Sequence, residues 1–160
     1  MSDIEDWFNR RPLRLERLFS VVRSFYFLTF NTSMRARILA RPEIHTVFRA
    51  FCQTAFNQYD VAVGRYVLMP DHIHLFVVFP PTGINLSRWV QALRTVLGKE
   101  LLRLGQQKPH WQEGFFDHVL RSSDSYSEKW DYVRLNPVRA GLCRNPEDWR
   151  YQGEIVRIEY

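Results

Sequence analysis

Hydrophobic and polar positions alternate along this chain in separate stretches, and their spacing predicts the elements. Phe19 to Phe30 (FSVVRSFYFLTF) crowds β-branched and aromatic residues together, as a buried strand does, and Asn31, Thr32 and Ser33 break it. Between Ile44 and Gln58 the apolar positions Ile44, Val47, Phe48, Phe51 and Ala55 recur at helical spacing, with Pro42 suited to the first turn. Tyr59 to Met69 alternates loosely as a second strand. Met69-Pro70-Asp71 then supplies a tight turn, because Pro presets φ and Asp tolerates turn geometry. His72 to Phe79 returns as a third strand, ended by Pro80, Pro81 and Gly83. Leu86 to Leu104 reads as a second amphipathic helix with Trp89, Val90, Leu93, Val96, Leu97 and Leu101 on its apolar side and Gly105 as its stop. Gly114 to Arg121 is a fourth strand. Ser125 to Asn136 is a third helix, opened by a capping box from Ser125 to Glu128. After Gly141 the pattern is loop-like, with a short strand at Glu154 to Ile158.

The first six of these elements follow the ferredoxin-like βαββαβ order. The expected class is α+β: an antiparallel sheet with helices on one face, and an additional C-terminal helix packed beside it. At 160 residues the chain fits a single domain, 1–160, with its core at about 19–150. This fold hosts many functions, so function must come from particular side chains.

Composition changes that picture in two ways. An apolar share of 46% with twelve phenylalanines excludes a disordered chain. The formal charge is +5, from 22 basic and 17 acidic residues, and arginine dominates the basic set. Arginine's planar fork suits phosphate oxygens. Together with the aromatics it is compatible with single-stranded nucleic acid, although a solvated basic face would account for charge alone. Cys52 and Cys143 have no metal-type spacing and read as free thiols in a reducing cytoplasm. The polar, acidic start from Met1 to Asp6 predicts no signal peptide. No apolar run approaches the ~20 residues that cross a bilayer, so no membrane partner is expected.

The candidate chemistry begins at His72 and His74. In a strand, residues i and i+2 project from one face about 6.6 Å apart, so the two imidazoles can reach one divalent cation. Two ligands are too few for a structural zinc site, but they suit an open site that leaves positions for phosphate and water. Nitrogen ligands accept manganese well; magnesium prefers oxygen but is more abundant. A lone His-x-His more often marks one or two satisfied polar residues at a strand end. His110 and His118 lie at no ligand spacing and read as structural.

On the third helix, Tyr126, Trp130 and Val133 form one stripe and make the natural core face. Tyr132 lies roughly 120° from that stripe, so packing does not explain it. Asn136 is its i+4 neighbour, and Pro137 is expected to end or kink the helix there. A phenol is a poor nucleophile at neutral pH, but a metal-polarised phosphate makes its attack feasible. A carboxamide oxygen beside the phenol could supply a third metal ligand.

Taken together, "YVLMPDHIHLFVV", "HWQEGFFDHVLRSSDSYSEKWDYVRLNPVRAGL" and, more loosely, "SFYFLTFNT" resemble the REP-associated tyrosine transposases. His72-Ile73-His74 is similar to the His-hydrophobic-His motif of the wider HUH class of single-strand endonucleases. The resemblance implies that His72 and His74 bind Mg²⁺ or Mn²⁺. Asn136 stands where the insertion-sequence relatives carry glutamine as the third ligand. It implies that Tyr132 attacks a DNA phosphate, giving a 5′-phosphotyrosine and a free 3′-hydroxyl. The implied partner is single-stranded DNA, often a hairpin from a short palindromic repeat, in a bacterial cytoplasm at the nucleoid. Arg134 and Arg139 flank the tyrosine and are expected to hold the DNA backbone, with Arg88 and Arg94 on the second helix as further contacts. Trp111 and Trp149 are candidate base-stacking residues. The tyrosine helix could serve its own subunit or that of a homodimeric partner.

Two other phosphodiester chemistries fit less well. A histidine-triad hydrolase would carry a third histidine at position 76, where this chain has Phe76. A two-histidine RNA phosphodiesterase would carry two His-x-Thr/Ser repeats, which are absent. The non-enzymatic alternative is a single-strand binder derived from the same fold.

Overall fold

The computed structural model describes residues 13–15, 23–81 and 83–159. Its frame is a five-stranded antiparallel sheet. The strands are β2 (Ser24–Asn31), β3 (Ala62–Leu68), β4 (His72–Phe79), β5 (Phe116–Val119) and β6 (Gln152–Glu154), in spatial order β5-β2-β4-β3-β6. The first four stand in the ferredoxin-like arrangement, and β6 extends the sheet at one edge. A separate parallel pair joins β1 (Leu13–Leu15) to β7 (Val156–Ile158). The single tail strand expected at Glu154 to Ile158 is thus two strands, parted at the buried Ile155. Of the first expected strand, positions 19–22 lie outside the described residues.

β4 is the centre of the sheet, and Ile73 and Leu75–Val78 along it are fully buried. Helix α1 (Pro42–Tyr59) and helix α2 (Leu86–Arg103) cover one face. There Phe48 packs on Tyr66 at 4.7 Å between ring centroids, and Trp89 packs on Phe79 at 5.6 Å. Helix α3 (Ser123–Val133) crosses the opposite face, where Tyr126 sits 5.1 Å from Phe25 and 4.8 Å from Phe76. α1 runs one residue past the expected end. Asp60 then takes a left-handed conformation (φ 55°), so β3 starts at Ala62 rather than Tyr59. In β3 a Cβ on Gly64 would lie 2.5 Å from the tip of the Ile158 side chain, which would have to shift to make room.

The third helix differs from expectation at both ends. Ser122, not Ser125, is its N-cap, accepting from the Ser125 backbone N–H at 3.1 Å. This start places Asp124 in the first turn, where the helix dipole favours a carboxylate. The helix stops at Val133, and a separate turn, α4 (Asn136–Arg139), follows with Pro137 near its start. No helix of the described residues is long and apolar enough to cross a membrane.

Candidate active site

Pleating decides which side chains share the face under α3. β4 aligns His74 with Thr29 of β2, and Thr29 with Phe116 of β5, so all three project to the same side. The end of β4 that carries the histidines is held by its turn. The Pro70 carbonyl accepts from both Ile38 and Leu39 N–H at 2.9 Å, and the Asp71 carbonyl accepts from Thr32 N–H at 2.9 Å.

His72 Nε2 and His74 Nε2 face each other at 3.1 Å. Behind them, His72 Nδ1 lies 2.7 Å from the Asp71 carboxylate, and His74 Nδ1 lies 2.7 Å from Thr29 Oγ1. Burial is the main reason both rings resist protonation: it lowers His72, and it lowers His74 to about 3, helped by the charges of His72, Arg139 and Arg35. Asp71 is itself held below the usual carboxylate range by His72 and Arg35, against its own partial burial. Arg35 donates to Asp71 at 2.9 Å and to the Asn31 amide oxygen at 2.7 Å, from a left-handed backbone (φ 54°).

Neutral His72 donates Nδ1–H to Asp71, which leaves a lone pair on Nε2. The gap to His74 can be filled in two ways. A proton on His74 Nε2 bridges it when the Thr29 hydroxyl donates to Nδ1. A cation bridges it when that hydroxyl turns to accept, since a threonine can do either. Two nitrogens ~2.1 Å from one ion at right angles stand ~3.0 Å apart, so the pair fits adjacent metal ligands. Asp71 and Thr29 are then the outer groups that fix ring orientation. Among the described residues no group of three or more His, Cys, Asp or Glu could hold a metal, so further ligands would be amide, water or phosphate oxygens.

Successive turns of α3 carry the chain toward this pair: Tyr126 on Phe25, then Trp130 at 6.3 Å on Phe76, then buried Val133. Tyr132, off that stripe, is 63% exposed. The Arg139 guanidinium lies 4.1 Å over its ring, donates to the Tyr132 carbonyl at 2.7 Å, and also donates to Asn136 Oδ1. Arg139 thus holds tyrosine and carboxamide together, and its charge is among those that lower His74.

The other expected contacts divide. Arg88 is exposed in the first turn of α2. Arg134 shares its charge between Asp131 at 3.5 Å and Glu147 at 3.3 Å. Arg94 is a correction: it is 8% exposed, donates to the Gly114 carbonyl and lies among Phe30, Trp111 and Phe115. Its spacing carried the signal, because it falls four residues after Val90 and three before Leu97 on the buried stripe. Trp111 and Trp149 are likewise engaged within the protein, donating to the Arg94 and Leu68 carbonyls at 3.1 and 3.0 Å. His110 is buried and donates to the Gln106 carbonyl at 2.9 Å, as a structural histidine does, while His118 is exposed on β5. Sequence reading assigned Asp71 only to the turn and gave Thr29 and Arg35 no role.

The family described as "Transposase IS200 like" matches residues 20–134, which take in β2 through the tyrosine helix. The chain belongs to the IS200-like transposases. An Escherichia coli REP-associated tyrosine transposase is 24% identical over 79% of this chain and 73% of its own length. A Haemophilus influenzae protein provisionally given the same name is 26% identical over 79% and 77%. These relatives are enzymes that act on DNA. Among solved structures, a REP-associated tyrosine transposase bound to a REP hairpin superposes with a TM-score of 0.66 at 22% identity, over 81% of this chain and 75% of that one. At that identity the likeness is one of fold. This IS200-like transposase therefore carries its histidine pair on the central strand and its exposed tyrosine on the helix that crosses the same face.

Proposed function

We propose that this transposase is a metal-dependent single-stranded DNA endonuclease that cuts and rejoins strands through a 5′-phosphotyrosine. Its substrate would be the single-stranded flank of a hairpin formed by a repeated palindrome. The observation that carries this reading is the pair of neutral imidazoles with Nε2 atoms 3.1 Å apart, beside the helix of an exposed tyrosine.

His72 and His74, with Asn136 from the turn after the tyrosine, would hold Mg²⁺ or Mn²⁺. The bound ion supplies charge neutralisation on the non-bridging phosphate oxygens. The chain's own residues do the rest. The Tyr132 hydroxyl oxygen attacks the phosphorus, and its proton is lost to solvent. As the new P–O bond forms, the bond to the 3′ oxygen breaks, and that oxygen gains a proton and leaves as a 3′-hydroxyl. The linkage keeps its phosphodiester energy, so an incoming 3′-hydroxyl reverses the step and joins strands without ATP. Arg139, stacked on the Tyr132 ring, would hold a backbone phosphate, with Arg134 and Arg88 as further cationic contacts. Asn136 becomes free to turn toward an ion when Arg139 moves onto phosphate.

The test is covalent capture. The protein is incubated with a labelled library of hairpins bearing single-stranded flanks, with Mg²⁺ or Mn²⁺, and resolved on a denaturing gel. The expected result is a metal-dependent adduct that disappears on adding EDTA from the start and in Tyr132→Phe. Retention of DNA without any adduct would replace this reading with that of a non-catalytic single-strand binder.

A further inference from the structure

Aromatic rings run in a row from the histidine pair to the edge of the sheet. The Phe27 ring stacks on His74 at 5.5 Å and 17° between planes. Phe116 meets the far side of Phe27 edge-on at 6.5 Å. Phe27 is buried, but Phe116 is 55% exposed on β5, the outermost strand on that side. Above the row, Lys129 of α3 brings its ammonium 5.3 Å from the Phe27 ring centroid.

Phe116 is not needed to complete the core. Its neighbour Phe115 turns to the other side of the chain, beneath Arg94, and fills that space. Phe116 projects to the histidine face because it is paired with Thr29, itself paired with His74. Strands stand ~4.8 Å apart, so the two inter-strand steps from β5 to β4 separate Phe116 from His74 by ~10 Å. At the ~3.4 Å rise of a stacked strand, that is about three nucleotides. A flat exposed ring at that distance, next to a ring that carries the Lys129 ammonium, has the composition of a single-strand stacking site.

We propose that Phe116 is a stacking platform for an unpaired base close to the scissile phosphate, with Lys129 on an adjoining phosphate. This rests on the single-strand cleavage reading and adds the site that orients the strand. The platform accepts any base, because every base presents a π-face. It therefore positions the strand and leaves sequence choice to other contacts.

The experiment uses the full chain and dT15 oligonucleotides carrying one 2-aminopurine at successive positions, read by its fluorescence and by anisotropy. Wild-type protein is expected to quench one position or two adjacent ones. Phe116→Ala should abolish that quench and weaken binding about 10-fold, the order expected for one lost base stack. Phe116→Trp should keep both, and Phe116→Leu should behave as the alanine variant. Lys129→Ala should lower the salt dependence by about one phosphate contact. Thermal midpoints should not move, because the ring is exposed. The platform is overturned if wild-type protein quenches no position, if Phe116→Ala quenches normally, or if leucine rescues. Covalent capture separates the two ideas. A wild-type protein without adduct sinks cleavage, whereas an adduct alongside normal quenching in Phe116→Ala sinks only the platform.

Discussion

Two sets of histidine in this molecule, one buried and one half-buried, keep their rings neutral, and they do so to different ends. On the α1 side, His45 is lowered to about 4, mainly by burial and then by Arg49. Its Nε2 accepts from the Tyr66 hydroxyl at 2.7 Å, and that hydroxyl accepts from Arg49 at 2.6 Å. Tyr66 and Arg49 close the cluster tightly enough that a Cβ on Gly153 would meet them at 2.9 and 3.0 Å. There the imidazole has a hydroxyl as its partner, and the hydroxyl has a guanidinium. On the α3 side, His72 and His74 are also kept neutral, yet their inner nitrogens point at each other. A lowered proton affinity is thus common to both; what differs is that the two inner nitrogens of the pair meet only each other, so a proton or a cation can bridge them.

The comparison can be broken most sharply with Tyr132→Phe. The adduct should fall to background while the unfolding midpoint stays put, since the phenol is exposed and donates nothing to the core. Next comes His74→Ala, which removes half of the paired nitrogens; Mn²⁺ binding followed by electron paramagnetic resonance should weaken at least about 100-fold. His45→Ala should leave that Mn²⁺ signal unchanged, and an equal loss in both variants would erase the distinction.

A pH series tests the structural half. The His45 ring takes a proton less readily folded than unfolded, so its contribution to stability is complete above pH ~6.5. It is lost as pH falls toward about 4. The full swing is about 3 kcal/mol. Urea midpoints should therefore drop across that window in wild type and drop less in His45→Gln; parallel curves would show that another group carries the effect. The smallest expected change is in Thr29→Val. Without a hydroxyl to orient the His74 ring, metal affinity should fall about 10-fold, measured by calorimetry, with the fold intact. No change would mean that the ring is aimed by packing on Phe27 alone.

What the sequence made legible was local. The histidine pair follows from strand alternation, and the tyrosine stood out because it lies off its helix's apolar stripe. The βαββαβ order also follows from spacing, and the sheet order β5-β2-β4-β3 agrees with it. Long-range pairing was hidden. Thr29 reaches His74 only through the register of β2 on β4, and Arg35 reaches Asp71 only because two consecutive non-glycine residues take positive φ. The stretch SSDSYS offers several serines as caps, so the helix start could not be chosen from pattern alone. Arg94 was read as a charge, and charge suggested solvent; the apolar spacing around it placed it inside.

The pairing of β4 has a consequence for how this protein can change. Imidazole and aliphatic side chains occupy alternate positions, so the strand has parity. A one-residue slip against its neighbours would drive His72 and His74 into the helix-packed interior and bring Ile73 and Leu75 out beneath the tyrosine. Folding and reactivity would be lost in the same event. The carbonyls of Pro70 and Asp71, each held by backbone N–H groups at 2.9 Å, fix the end of the strand where that phase is set.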